Sequence, residues 1–284
     1  MIYCKELNRE FATDKELFTA LKENESVIIA QKKLECKSVD KGLATVFNQK
    51  ELLKGFDENT EKAFKTDDEH YYIVVNSADY LDSHRDMHVA GNWDKTVQEQ
   101  QGKVYLVWYH DFGVKDILAF PNDIEMFTAS VKWSALGKNY NGSTYSLVYK
   151  IKKENIQSDS VKKWLDEGKP LQASVRMLYI KILSAYNSTD SEFEEQKAVF
   201  DKYYNRIVNK DEFADEIKYF WVVKEAKNVL ESSLLPFGSN SATGQVNTKE
   251  IKIEAVDNTS IIINEPSNDT QQEQETPKKR VIIL

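Results

Sequence analysis

The sequence predicts a mainly β domain with helices on its outside, the strands closing into a barrel. Runs rich in β-branched and aromatic residues recur at 71–75, 104–109, 127–133, 144–151, 171–183, 219–223 and 229–235, each of strand length and bounded by turn residues. About seven strands from one region suggest closure. Between them lie only short stretches of helical spacing. With 284 residues, 41% hydrophobic and 11% aromatic, the chain can bury one substantial core plus extensions.

In chain order, residues 14–24 place Leu17, Phe18 and Leu21 on one face behind Asp14 as a cap, which predicts a short amphipathic helix. The run Ser-Val-Ile-Ile-Ala at 26–30 reads as a strand. The charged, unevenly patterned stretch 31–68 is expected to lend one strand to the main domain, so 1–66 reads as an N-terminal extension and 67–238 as the barrel. Residues 158–168 carry Val161, Trp164 and Leu165 at helical spacing, with Ser158 as cap and Gly168 then Pro170 as stop signals. That helix feeds the chain into the 171–183 strand. Residues 189–208 hold Phe193, Phe200, Tyr203, Tyr204 and Ile207 among many charges and predict a packed surface helix. From 239 to 284 the composition turns to Gly, Ser, Asn, Thr, Gln and Glu, which predicts a disordered tail. It ends Pro277-Lys-Lys-Arg-Val-Ile-Ile-Leu284, read as a short docking peptide rather than a nuclear-import string.

Composition removes several function classes. A net charge of −8 argues against a general nucleic-acid binder. Cys4 and Cys36 are too few for a disulfide framework and suit a reducing cytosol. The start of the chain lacks the apolar run of a signal peptide, and nowhere is there the stretch of about 18 apolar residues that a membrane span needs. A soluble protein with no membrane partner is expected. No GxSxG, P-loop, CxxC or dinucleotide fingerprint occurs, so no cofactor is expected. Asp82, His84, Asp86 and His88 alternate oxygen and imidazole groups, but on a strand all four share one face and cannot converge on one ion without a sharp bend. No metal is expected.

The chemistry-bearing residues are few. Only four histidines occur, at 70, 84, 88 and 110, and His110 stands at the end of an alternating strand, on the face of Val104, Leu106 and Trp108. It is the candidate general base. Ser174 shares a strand face with Arg176 and Leu178. A serine hydroxyl is a poor nucleophile unless a base takes its proton, and that base needs a third group to orient it. Glu231, Glu225 and Asp111 are the acids on offer; Asp111 follows His110 directly, so an extended strand would point it to the opposite face. Taken alone, a strand serine and a strand-end histidine are more often structural.

The order of five segments adds to this. Asp82-Ser83-His84-Arg85-Asp86, then Gly91-Asn92-Trp93, then the apolar strand ending His110-Asp111, then Gln172-Ala173-Ser174-Val175-Arg176, then Leu230-Glu231-Ser232-Ser233-Leu234 run along the chain in this sequence. This resembles the tailed-phage prohead proteases, whose members run D-x-x-x-D, G-x-aromatic, a strand ending His-Asp, the serine strand, and L-x-E-x-S-L. The resemblance covers roughly residues 67–238. It implies a capsid-maturation serine protease with a barrel similar to that of the herpesvirus assemblins. In it His110 is the base, Ser174 the nucleophile and Glu231 the orienting acid. Arg176 would support the oxyanion or the substrate carbonyls, or else simply pair with an acid. The family's commoner serine strand has glycine two before and two after the serine, where this chain has Gln172 and Arg176. Substrates implied are the scaffold and major capsid proteins, and the enzyme itself, inside an assembling prohead in the host cytoplasm; homo-oligomerisation stays open. The alternative is a non-catalytic assembly or scaffold factor on the same barrel, and a third reading is a metal-dependent hydrolase using 82–88.

Overall fold

The computed structural model describes residues 1–34, 37–38, 67–82, 84–136, 138–169, 171–213 and 216–235. The architecture is mixed α/β, with open sheets and five α-helices among the described residues, and the expected closed barrel is not formed. A hairpin, β1 (Ile2–Cys4) with β2 (Arg9–Phe11), starts the chain. A three-stranded antiparallel sheet has the order β4 (His70–Ser77), β9 (Ser143–Lys152), β8 (Ile124–Lys132). A six-stranded sheet runs β3 (Lys37–Ser38), β10 (Gln172–Tyr186), β11 (Tyr219–Leu235), β6 (Tyr105–Trp108), β7 (Ile117–Ala119), with β5 (Asp86–His88) also paired to β11. Among the described residues no ladder joins the last two sheets.

The barrel expectation failed because strands were counted without their partners. The runs at 219–223 and 229–235 are one strand, β11, and it is the spine of the larger sheet. One edge of β11 pairs antiparallel with β10 along its length. The other takes β5 beside Trp221–Val223 and β6 beside Glu231–Leu234, both parallel. Parallel neighbours need a crossover, here the long stretch of chain between β6 and β11, while helix α3 (Asp94–Gln100) links β5 to β6 along the same edge. Thr96 Oγ accepts the N–H of Asn228 at 3.2 Å and donates to the carbonyl of Ala226 at 2.9 Å. These are the backbone groups left between β5 and β6, and the hydroxyl satisfies them where no strand does.

Helix α1 (Asp14–Glu23) buries Leu17, Phe18 and Leu21 as its spacing predicts, though Thr13 rather than Asp14 is the cap, its hydroxyl accepting the N–H of Glu16. The expected strand at 26–30 is instead part of helix α2 (Glu25–Leu34). Burial explains the reversal: Ile28 and, one turn on, Lys32 face inward while Val27 is exposed, a helical period that outweighs the β propensity of Val-Ile-Ile. Helix α4 (Asp159–Asp166) is capped by Ser158 and ends at Gly168, whose φ of 65° suits a residue without Cβ. Helix α5 (Glu194–Tyr203) covers β10 and β11, packing Phe200 and Tyr203 with Phe220 and Val222.

The N-terminal elements share the main core. Cys4, Phe11, Leu17, Phe18, Leu21 and Ile28 belong to the same buried cluster as the strand residues. A buried charge network fastens them: Lys32 Nζ lies 2.6 Å from Asp86 Oδ1 and 3.6 Å from Glu6 Oε1. Tyr179 O–H donates to Asp86 at 2.9 Å, and Trp221 Nε1 and Tyr219 O–H each donate to Glu6 at 2.7 Å. The expected tail from 239 and its terminal 277–284 peptide lie outside the described residues, as do 39–66.

Candidate active site

Strands β10, β11 and β6 lie side by side and bring the proposed catalytic segments to one end of the larger sheet. Ser174 on β10 stands opposite Ser233 on β11, and Ser233 stands beside Val107 on β6. Residues in register share a face, so Ser174, Ser233, Val107 and, two residues back, Glu231 face the same way. Ser174, Ser233 and Glu231 are all buried.

Glu231 reaches this face through an irregularity. Between Val175 and Met177 one residue of β10 lies opposite three of β11, Val229, Leu230 and Glu231. Leu230 takes a left-handed φ of 67° and is half exposed, while Glu231 turns inward. Bulges of this kind re-aim side chains. Arg176 is the β10 residue facing the bulge and is partly buried; its Cα partner on the other edge is Ser38 of β3.

His110 comes from the end of β6. Tyr109 continues the ladder with N–H to Leu234 O at 3.1 Å, and then Tyr109 and His110 both adopt left-handed conformations, φ 55° and 62°. The chain turns back over β11. The His110 ring therefore does not stay on the face of Leu106 and Trp108, as strand alternation predicts, but meets Glu231: Nδ1 lies 2.8 Å from Oε1. The backbone N–H of His110 donates to Ser233 Oγ at 2.9 Å. Nε2 is buried and has no hydrogen-bond partner among the described residues. Of the six non-glycine residues with positive φ among the described residues, three are here: Tyr109, His110 and Leu230.

An imidazole whose Nδ1 is held by a buried carboxylate has its tautomer set, with the proton on Nδ1 and a lone pair on Nε2. That is the state a general base needs. The structure joins His110 to Glu231 directly and sets Ser174 on the adjacent strand, one pairing from the serine that holds His110's backbone. Ser233 had a place in the Leu230–Leu234 motif but no assigned role; its signal in the sequence was the serine of L-x-E-x-S-L.

The other acids are elsewhere. Glu225 is held by Lys181 at 2.6 Å and Lys95 at 3.2 Å; the hydrogen bond from Lys181, against the opposing effect of burial and with help from Lys95, holds its carboxyl below the usual range. Asp111 is exposed, its N–H donating to Trp108 O. The 82–88 segment serves the fold. Asp82 accepts the N–H groups of His84 and Asp86, each at 2.8 Å. His88 stacks on Trp93 at 5.7 Å with Asn92 on its Nδ1, and Trp93 Nε1 donates to Asn76. β5 sits beside Trp221–Val223, so this cluster lies on the order of 25 Å along β11 from Glu231.

No protein-family model matches the chain, and neither a curated protein nor a solved structure resembles it at a significant level.

Proposed function

We propose that this chain is a serine endopeptidase that cleaves scaffold and major capsid proteins during maturation of a tailed-phage prohead. The observation that carries the hydrolase reading is the His110–Glu231 pair, Nδ1 to Oε1 2.8 Å with the carboxylate fully buried and Nε2 uncommitted, on the strand next to the one that bears Ser174. The substrate assignment draws on the motif order, Asp82…Asp86, Gly91…Trp93, His110, Ser174 and Glu231.

In this reading Nε2 of His110 takes the Ser174 hydroxyl proton as Oγ bonds to the scissile carbonyl carbon. The carbonyl electron pair moves to oxygen, and backbone N–H groups or Arg176 stabilise the oxyanion. Collapse breaks the C–N bond, and the imidazolium returns the proton to the leaving amine. Water then repeats the sequence on the acyl-enzyme, with His110 again as base. Glu231 keeps the ring oriented and stabilises its charged form throughout.

A second reading, a non-catalytic assembly factor, draws on the burial of Ser174, which is 2% exposed. Co-expression with the scaffold and capsid proteins separates the two, because a protease shortens them and an assembly factor leaves their lengths unchanged. Intact scaffold in the presence of wild-type protein would reject the protease.

A further inference from the structure

The His110–Glu231 pair depends on a backbone conformation that neither Tyr109 nor His110 favours. Two consecutive left-handed residues with side chains crowd Cβ against the backbone, so the surroundings must hold them. Three hydrogen bonds do: Tyr109 N–H to Leu234 O, Asp111 N–H to Trp108 O, and His110 N–H to Ser233 Oγ. The third alone uses a side chain, and it acts on the histidine itself. Ser233 is fully buried, and its hydroxyl has the carbonyls of Val107 and Leu234 as acceptors, each at 3.3 Å. With its proton turned to those carbonyls, a lone pair is left for the His110 N–H.

We infer that Ser233 is a positioning residue, whose hydroxyl fastens the His110 backbone and so delivers the imidazole to Glu231. This rests on the serine-protease reading. The same hydrogen bonds argue against Ser233 as a second nucleophile, because its oxygen is already engaged by backbone on β6 and the turn that follows.

The test uses the full chain with Ser233→Ala, Ser233→Thr, Ser233→Cys and Ser174→Ala. Cleavage of scaffold protein is measured, together with the downfield proton resonance of the His110 Nδ1–H, identified by its loss in Glu231→Gln. Ser233→Ala should lower kcat about ten- to a hundredfold with KM little changed, and should broaden the resonance away. Thr keeps the acceptor and should retain both. Cys, near Ser in size but a weak acceptor, should behave like Ala, and it decides the matter if the Ala variant does not fold. Wild-type rate and resonance in Ser233→Ala, or Cys matching Thr, would overturn the tether. So would a Ser233→Ala variant as inactive as Ser174→Ala with its resonance intact, since that would make Ser233 the nucleophile. The resonance is read in resting protein, so intact scaffold with the wild type would sink the protease reading, and cleavage by Ser174→Ala would move the nucleophile, without either touching the tether.

Discussion

His110 Nδ1 and Glu231 Oε1 are 2.8 Å apart, although Glu231 stands beside Tyr105 in the ladder and His110 is five residues further along. Had β6 run straight, the two would be separated by about 16 Å and would point to opposite faces. The left-handed turn at Tyr109 and His110 removes both obstacles. The pairing of His110 with Glu231 is therefore made by a local reversal, and loosening that reversal should disturb the proposed chemistry before it disturbs the fold.

Replacing Ser174 with Ala deletes one hydroxyl from a buried strand position and should leave a folded protein that does not process scaffold. His110→Ala should match it, because base and nucleophile act as one unit. Gel analysis of scaffold co-expressed with each variant is the check; undiminished cleavage by Ser174→Ala would move the nucleophile elsewhere.

Glu231→Gln keeps the shape of the side chain but loses the charge that, in the proposed mechanism, steadies the imidazolium. By analogy with orienting acids in serine proteases, turnover should fall by about 10³–10⁴. Glu225→Gln, beside Lys181 and Lys95, and Asp111→Asn, on an exposed turn, should each change kcat less than about threefold, within the range of ordinary surface substitutions. Steady-state kinetics of the three variants checks the assignment, and a crippled Glu225→Gln beside a normal Glu231→Gln would reverse it.

Asp86→Asn should destabilise the protein by about 3 kcal/mol, since it takes from buried Lys32 its nearest counter-charge and leaves Glu6 and the weaker Asp82. Burial penalises the Lys32 ammonium, but Asp86 and Glu6 outweigh that penalty and hold its pKa above the ordinary lysine value. A raised folded-state pKa means this contribution is complete below the unfolded value near 10.4 and is lost as pH rises through the folded one. Urea titrations at neutral pH and above pH 10 should show the wild-type advantage over Asp86→Asn shrinking at alkaline pH.

Trp93→Ala removes a fully buried ring that stacks on His88 and donates to Asn76. A loss of about 3–5 kcal/mol is expected, read as a lower urea midpoint. At temperatures where the variant is folded, its kcat should stay near wild type, because the Gly91-Asn92-Trp93 element serves packing rather than the reacting groups. A large kcat defect in the folded variant would give this element a part in the site.

Much of the chain announces its own local structure. The Ser158 cap and Gly168 stop bound a helix, Leu17, Phe18 and Leu21 mark another, and alternation along 171–183 assigns Ser174 and Arg176 to one face. These signals are legible because period, cap and stop depend on residues a few positions apart. The order of His110, Ser174 and Glu231 was legible too, as residue types suited to acyl transfer. Which strands pair was not. Closure into a barrel was refuted by β11 acting as a single spine with parallel neighbours, a fact that rests on hydrogen bonds between residues more than a hundred positions apart. The helix at Ile28 needed Lys32 to meet Asp86 across the core. The left-handed backbone at Tyr109, His110 and Leu230 ran against the intrinsic preference of all three residues, so only long-range bonds such as His110 N–H to Ser233 Oγ could impose it.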